Sequence, residues 1–266
     1  MNAFASDLDR TLIYSRRMVG AAEMKAGIEL TETLHGREIS YISGITKENL
    51  KRIQKENYFI PVTTRTNEQY KRLQFLQHDI VPEYAVTTNG GCILKNGEPL
   101  TEWAEVIEEQ LAACLPIEQM LREIASLPLS AAVERTRTAH HYFVYLILNG
   151  EKIAHIDSAA VKEWGASKGW QVSLQGRKLY FIPNPLNKWK AVAYLKSKLS
   201  LEEVCTAGDS LLDLELIQEA DFGIAPAHGE VLRHYPNLRK TASSGILAGE
   251  EMTAAVLSRL SCLKQV

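Results

Sequence analysis

The chain lacks several features that would assign it at once to a class of protein. It has no apolar run of about 20 residues, so the sequence predicts no membrane span. Its N-terminus has no basic segment followed by an apolar core, so we expect no secretory signal. A formal net charge of −2 argues against a nucleic-acid partner, which would require a strongly basic face, but it leaves a local basic patch open. These absences favour a cytoplasmic location as the default.

Cysteine is scarce as well. The four cysteines are scattered and form no CxxC pair; they are Cys92, Cys114, Cys205 and Cys262. This spacing favours separate buried thiols over a disulfide framework or a zinc site. The sequence also has no internal repeat and no low-complexity linker. The order of apolar runs and helical patterns therefore has to indicate the fold.

The N-terminal part of the chain alternates short apolar runs with helical patterns. The runs at 3–8, 58–64 and 84–91 predict strands, and the segments 46–57 and 67–77 predict helices between them. A βαβαβ order of this kind is typical of an α/β fold with a doubly wound parallel sheet. We therefore predict a Rossmann-like core.

The same alternation resumes after a middle region in which helices and strands do not alternate. The resumed elements are a helix at 190–199, a strand at 203–210, a helix at 211–220 and a strand at 222–227. The middle region is typical of a separate α+β lobe. We predict a core formed by residues 1–88 and 184–266, with an α+β domain, residues 89–183, inserted into it.

Four local features refine this prediction. Thr46 is a plausible N-cap for the first helix. Residues 27–42 could form a hairpin over the site. The helical pattern of the middle region is interrupted near Pro116, and a C-terminal helix is expected directly after Gly249.

Polar side chains follow the ends of several predicted strands or begin the next helix. They are Asp7, Asp9 and Thr11; Thr63 and Thr64; Lys188 or Lys190; and Asp209 with Asp213. The carboxyl ends of parallel strands share one edge of a sheet, so we expect these groups to converge there. Taken alone, Asp7 and Asp9 could be a strand-end turn, Thr63 and Thr64 ordinary strand residues, and Asp213 a surface acid.

Such a convergence has a definite chemistry. Carboxylates close together repel one another unless a cation lies between them, and oxygen ligands without His or Cys favour Mg²⁺. A lysine, hydroxyls and helix N-termini supply donors for an anion. Carboxylates, Mg²⁺ and anion donors together describe phosphoryl transfer, in which an aspartate can be the nucleophile and another the general acid and base.

The motifs resemble those of the haloacid dehalogenase superfamily. "DLDRT" matches its first motif, DxDxT; "VTTRT" resembles the second, "NKWKAVAYL" the third, and "GDSLLD" the fourth, GDxxxD. "TTNGG" resembles the Asn-Gly turn that leads into a large cap between the second and third motifs. The chain is most similar to the Cof-type and sucrose-phosphate or mannosyl-phosphoglycerate phosphatase-like group. The motifs span residues 7 to 213, which is most of the chain.

The resemblance implies a role for each matching residue. Asp7 would be the nucleophile and a Mg²⁺ ligand, and Asp9 the general acid and base, with its backbone carbonyl on the metal. The remaining roles are phosphate or substrate binding for Thr63, Thr64, Asn89 and Arg10, metal binding for Asp209 and Asp213, and catalysis for Lys188. Lys188 fits the family spacing better than Lys190.

Two residues depart from the group's pattern. Arg10 stands where glycine is common, and it could reach a substrate anion or lie over the loop in solvent. Leu212 stands where asparagine usually helps to bind the metal.

The resemblance implies a Mg²⁺-dependent phosphatase that hydrolyses a small phosphorylated metabolite, such as a sugar phosphate, through an aspartyl-phosphate. The inserted lobe would close over the site. A phosphotransferase or mutase with the same nucleophile, and a non-catalytic ligand-binding module with the same fold, are the alternatives. The expected partner is a small phosphate ester, and the sequence indicates no oligomeric state.

Overall fold

The structure is a computed structural model that describes residues 1–19 and 27–262. The chain divides into two compact units, Met1–Pro99 with Lys188–Val266, and Leu100–Asn187. The chain leaves the first unit once and returns to it. Among the described residues, every helix is too short or too polar to cross a membrane.

The first unit contains most of the elements. Its strands are β1 (Ala3–Ser6), β2 (Ile28–Leu34), β3 (Arg37–Ser43), β4 (Tyr58–Pro61), β5 (Tyr84–Thr87), β6 (Cys92–Lys95), β7 (Glu98–Pro99), β12 (Val204–Ala207) and β13 (Phe222–Ile224). Its helices are α1 (Gly44–Gln54), α2 (Asn67–Lys71), α3 (Gln74–His78), α7 (Lys188–Lys198), α8 (Leu214–Gln218), α9 (Val231–His234) and α10 (Ile246–Cys262).

A parallel sheet forms the centre of this unit, in the strand order β13-β12-β1-β4. A parallel bridge from Val62 to Val86 continues the sheet from the end of β4 to β5. All four residues of β1 are buried, as are all four of β12. Strands buried on both faces read as continuous apolar runs, which is why these segments show no alternation. The α/β fold with a doubly wound parallel sheet is confirmed.

The main core of the first unit packs against this sheet. It contains Phe4 from β1, Phe59 from β4, Leu50 from α1 and Met252 from α10, each at most 2% exposed. Burial of one such side chain contributes roughly 1.5–3 kcal/mol to stability. This packing holds the ends of β1, β4 and β12, which carry the polar groups, in fixed register.

Two strands extend the first unit beyond the predicted boundary after residue 88. β5 pairs antiparallel with β6, and β6 with β7, so the unit runs on to Pro99. The hairpin at 27–42 is present as β2 and β3, which pair antiparallel. Its register is irregular on both sides of Glu32.

Three predictions about helices were wrong: the cap of the first helix, the continuity of the second and the start of the last. Ser43, not Thr46, caps α1, because β3 leads directly into the helix and the Ser43 hydroxyl accepts the Ile45 N–H at 3.2 Å. The predicted helix 67–77 is broken into α2 and α3, because Leu73 turns into the core with no exposure and an extended backbone. Gly249 lies inside α10 rather than before it.

The second unit is an α+β domain. Its helices are α4 (Thr101–Leu111), α5 (Ile117–Ala125) and α6 (Ser158–Ser167), and its strands are β8 (Val133–Ala139), β9 (Phe143–Leu148), β10 (Trp170–Gln175) and β11 (Lys178–Pro183). The strands form an antiparallel sheet in the order β10-β11-β9-β8. Pro116 stands immediately before α5, so the predicted interruption of the helical pattern is confirmed.

Candidate active site

Asp7 directly follows β1 at the carboxyl edge of the parallel sheet. Its N–H donates to the Ala207 carbonyl at 2.9 Å, which continues the pairing of β1 with β12. The chain then folds into a tight turn, in which the Leu8 carbonyl accepts the N–H groups of Leu12 and Ile13, both at 2.9 Å. The Thr11 hydroxyl, carried by this turn, donates to Asp7 Oδ2 at 3.0 Å. The turn therefore fixes the Asp7 carboxylate.

Lys188 is the cation at the centre of the site. It begins α7, is 1% exposed, and places Nζ 2.6 Å from Asp7 Oδ1 and 2.5 Å from Asp213 Oδ1. Burial alone would lower the pKa of Lys188, but attraction to Asp213 and Asp7 outweighs it and raises the pKa. Lys188 is therefore charged, whereas Lys190 is exposed on the same helix.

Asp213 holds the loop that follows β12. Its Oδ2 accepts the N–H groups of Asp209 and Ser210, at 3.1 and 2.9 Å, and the Ser210 hydroxyl at 2.7 Å. Its Oδ1 accepts Lys188. Because it is completely buried and makes all these bonds, Asp213 fixes both the loop and the lysine.

Gly208 makes room for Asp213. A Cβ atom at Gly208 would lie 2.3 Å from the Asp213 Cβ and 2.6 Å from its Cγ, closer than two carbons can approach. The fourth motif therefore requires glycine at this position, because any side chain there would overlap Asp213.

We expect Gly208→Ala to lower the free energy of unfolding by roughly 1–3 kcal/mol, since the added methyl must displace Asp213. Hydrolysis should fall as well, because Asp213 holds Lys188. Urea denaturation and a phosphate-release assay measure the two effects. Gly150→Ala is the control, because a Cβ at Gly150 would meet its nearest atom at 3.9 Å. Equal stability of the two variants would contradict the packing argument.

Asp7, Asp209 and Asp213 form a buried acidic cluster. Each offers an oxygen, and these oxygens lie within 4.8 Å of one another. Burial raises the pKa of Asp7 to about 7, against the attraction of Lys188. Burial, together with repulsion from Asp7 and Asp213, raises the pKa of Asp209 well above its usual value. Lys188 alone therefore does not compensate the negative charge of the acidic cluster. The carboxylate oxygens of the cluster are hard donors, which fit Mg²⁺.

Arg10 supplies a second positive charge to this cluster. It has a φ of 67°, in the left-handed region, and its Nε lies 3.0 Å from Asp209 Oδ2. Its carbonyl lies 2.9 Å from Nε2 of His228, whose Nδ1 accepts the Gly245 N–H at 3.1 Å. The Arg10 side chain thus contacts a predicted metal ligand, and its predicted contact with substrate stays a prediction.

Asp9 lies in the same turn and pairs with Arg65. Arg65 Nε is 2.7 Å from Asp9 Oδ2, and Nη2 is 2.8 Å from Oδ1, so both carboxylate oxygens are held by one guanidinium. Arg65 also donates through Nη1 to Glu32 Oε2 at 2.7 Å. Burial alone would lower the pKa of Arg65, but Asp9 and Glu32 raise it.

The other predicted phosphate-binding residues lie on two loops that are hydrogen-bonded to each other. The Asn89 N–H donates to the Thr63 carbonyl at 2.9 Å, and the Thr88 N–H to the Arg65 carbonyl at 2.8 Å. The Thr63 hydroxyl accepts the Arg65 N–H at 3.1 Å, which leaves its own proton to donate to an anion. Thr64 beside it is partly buried.

The structure thus brings Asp7, Lys188, Asp209 and Asp213 together, as the strand-end argument predicts. Sequence reasoning missed two residues of the site, Arg65 and Glu32. Arg65 carried a signal, since it is a cation immediately after Thr63 and Thr64. Glu32 carried none, because nothing in the pattern distinguishes it from the other glutamates of the hairpin.

Comparisons with known proteins agree with this fold. The sequence model of a family described as sucrose-6F-phosphate phosphohydrolase matches residues 2–262. A comparison with curated protein sequences found no match.

Several solved structures share the fold. A sucrose-phosphatase from Synechocystis sp., in complex with sucrose and phosphate, is 19% identical, with a TM-score of 0.65; the match covers 95% of this chain and 96% of that one. A haloacid dehalogenase-like hydrolase from Bacteroides thetaiotaomicron is 17% identical, with a TM-score of 0.57 and coverage of 96% and 99%. A haloacid dehalogenase-like hydrolase protein from Bacillus subtilis is 13% identical, with a TM-score of 0.57 and coverage of 97% and 91%.

At these identities the solved structures show the fold alone, whereas the family model spans nearly the whole chain. The resemblance to the haloacid dehalogenase superfamily is confirmed. The chain belongs to the sucrose-6F-phosphate phosphohydrolase family, and it is a phosphatase of the haloacid dehalogenase type.

Proposed function

We propose that the protein hydrolyses a sugar phosphate in a Mg²⁺-dependent reaction through an aspartyl-phosphate on Asp7. The observation that carries this proposal is the Asp7 carboxylate, which is fixed by Lys188 and Thr11 beside Asp209. The family model and the sucrose-phosphatase complex support a sugar phosphate as the substrate.

In the first step, an Asp7 oxygen attacks phosphorus, and the bond from phosphorus to the ester oxygen breaks. Asp9 gives a proton to the departing oxygen. In the second step, Asp9 takes a proton from water, the water oxygen attacks phosphorus, and the bond to Asp7 breaks to release inorganic phosphate. Lys188 compensates the negative charge of Asp7, and the Thr63 hydroxyl donates to the phosphoryl group.

The acidic cluster would hold the metal through Asp7 and Asp209, together with the backbone carbonyl of Asp9. Asp213 would support this set, since its Oδ2 already accepts three hydrogen bonds. Bound Mg²⁺ neutralises charge on the phosphoryl group. Leu212, which is 8% exposed, offers no ligand atom, so the set lacks the asparagine of the related group.

A screen of phosphate esters with Mg²⁺ tests the proposed substrate class. Sucrose 6F-phosphate, which carries the phosphate on the fructose ring, comes first. Fructose 6-phosphate and glucose 6-phosphate test the two rings separately, and glycerol phosphate is a non-sugar ester. Phosphate release above that of an Asp7→Asn variant, highest for a sugar phosphate, is expected. Release from no ester, or transfer of phosphate to an acceptor in place of free phosphate, would contradict the proposal.

We expect Mg²⁺ to raise the Tm more at pH 8 than at pH 6. The pKa of Asp7 is raised from its usual 3.8 to about 7, so the folded protein holds a proton that the unfolded chain loses. Without the metal, stability therefore falls as the pH rises from about 4 to about 7. Mg²⁺ competes with that proton and binds more tightly at the higher pH.

Thermal unfolding with and without Mg²⁺ at the two pH values measures this effect. Asp209→Asn is the matched variant, because it removes one oxygen donor from the cluster. A Mg²⁺ shift that is the same for both proteins, or the same at both pH values, would contradict binding at the cluster.

A further inference from the structure

Four charged side chains form a continuous network beside Asp7. We call the set Asp9, Glu32, Arg65 and Arg72 the Arg65 network. Arg65 bonds Asp9 with two nitrogens and Glu32 with the third, and Arg72 Nε lies 2.8 Å from the other Glu32 oxygen as an ion pair. With both carboxylates ionised, as their contacts with the guanidiniums favour, the set has a net charge of zero. Asp9 has to take up a proton before it can donate one to the leaving oxygen.

Glu32 is the deepest member of the network. Its side chain has no exposure, whereas that of Arg72 is 35% exposed. A buried carboxylate costs stability unless it is paired, so it is normally found where a function or a structural need retains it. Through Oε2, Glu32 binds Arg65, and Arg65 in turn binds Asp9.

The hairpin is irregular at this residue. The register of β2 against β3 shifts between Leu30 and Glu32 and again between Glu32 and Thr33. An irregularity of this type turns a side chain away from the alternation of a regular strand. The backbone of the hairpin therefore departs from regular pairing at the residue that reaches Arg65.

Asp9, by contrast, is half exposed, with 49% of its side chain accessible. Two bonds from Arg65 hold both of its oxygens. The third Arg65 nitrogen is held by Glu32, so the guanidinium plane is fixed from its far side. A proton donor has to be held within hydrogen-bond reach of the leaving oxygen, and small displacements are costly in rate.

We propose that Glu32 is a positioning residue for proton transfer, acting through Arg65 on Asp9. This proposal rests on the proposed function, in which Asp9 protonates the leaving group. If Glu32 orients Asp9, its loss slows those reactions that need a proton on the departing oxygen. If Glu32 were merely structural, its loss would slow the hydrolysis of all substrates by the same factor.

Two aryl esters separate these cases, because they differ in the leaving group and not in the phosphate. Phenyl phosphate needs protonation of a basic phenolate oxygen, whereas p-nitrophenolate leaves readily without a proton. The quantity to measure is kcat/KM, which reports the steps up to the first cleavage and excludes hydrolysis of the aspartyl-phosphate.

We expect Glu32→Gln to lower kcat/KM for phenyl phosphate by roughly 10- to 100-fold, by analogy with the loss of residues that orient metal ligands. For p-nitrophenyl phosphate the fall should be less than about threefold, because general acid catalysis contributes little there. Arg65→Lys, which cannot bond both Asp9 oxygens in a fork, should show the same selectivity.

Glu203→Gln is the matched control. Glu203 is another buried glutamate of the first unit, paired with Arg259 at 2.6 and 3.2 Å, and it contacts none of the predicted site residues. Glu203→Gln should change kcat/KM for both esters by the same small factor. If Glu32→Gln does not fold, Glu32→Gln with Arg72→Gln restores the balance of charge and decides the question.

If Glu32→Gln lowers kcat/KM equally for both esters, or for neither, the positioning role of Glu32 is overturned. If the wild-type protein releases phosphate from neither aryl ester nor any sugar phosphate of the screen, and Asp7→Asn behaves identically, the proposed function itself fails. The two failures are therefore distinguishable in one set of measurements.

Discussion

Asp7→Asn is expected to abolish hydrolysis while the protein stays folded. The amide cannot form the aspartyl-phosphate, and loss of a nucleophile of this kind lowers kcat by at least ~10⁴-fold. The substitution removes one negative charge from a cluster in which burial already raises the pKa of Asp7 to about 7. Without Mg²⁺ at pH 8, the variant should therefore unfold at a temperature no lower than the wild-type protein does.

The matched control is an aspartate of the first unit outside the cluster. Asp221 is exposed, bonds Lys196 at 2.7 Å and accepts the Val204 N–H at 2.7 Å. Asp221→Asn should keep activity within about twofold, since surface changes seldom alter a distant site. If Asp7→Asn retains a tenth or more of the wild-type kcat, the covalent route through Asp7 is wrong.

Lys188→Met is expected to cost both stability and activity. Removing one partner of a buried ion pair typically lowers the free energy of unfolding by about 3–5 kcal/mol, because the other charge is left buried and uncompensated. Here two carboxylates, Asp7 and Asp213, lose the same partner. Hydrolysis should fall by at least 100-fold, on the order of the loss for a charge-stabilising donor.

A second lysine of α7 gives the control for this prediction. Lys196 pairs with Asp221 at 2.7 Å, and its side chain is 30% exposed, so Lys196→Met should cost less than about 1 kcal/mol. Urea denaturation measures both variants. The double variant Lys188→Met with Asp213→Asn should recover part of the lost stability, because it removes one uncompensated carboxylate. A loss below 1 kcal/mol for Lys188→Met would refute the assignment of Lys188 as the central cation.

The carboxylates and the lysine of the site could be placed from sequence because backbone topology places them. Asp7 follows β1, and Asp209 follows β12, the strand paired with it. Lys188 begins α7, two residues before the predicted helix 190–199, and the family spacing rather than the helical pattern favoured it over Lys190. These positions depend on the strand order of the parallel sheet. Short apolar runs that alternate with helical patterns indicate such a sheet.

The contacts of Arg10, Arg65 and Glu32 could not be predicted in the same way. They depend on which way a long side chain turns. Arg10 was expected to face substrate or solvent, and it lies against Asp209. Glu32 reaches Arg65 only because the hairpin loses its regular register there, and sequence alternation carries no signal for such an irregularity.

The break between α2 and α3 has a similar origin. Residues 67–77 have a helical pattern, but Leu73 is completely buried and Arg72 pairs with Glu32. Tertiary contacts override local propensity at such a point. The first unit runs to Pro99, beyond the predicted residue 88, because β6 pairs with β5 and β7 with β6. These strands are short, and the sequence carries no signal for their pairing.

The zero net charge of the Arg65 network has a consequence for how this site can change in evolution. Its four members come from different segments of the chain, the turn after β1, the hairpin, the loop after β4 and the end of α2. Loss of Glu32 alone would leave the network with two guanidiniums and the single carboxylate of Asp9, and Arg72 would lose its partner. A homologue without this glutamate is therefore expected to lack Arg72 too, or to have gained another acid nearby, so substitutions at the two positions should covary across the family.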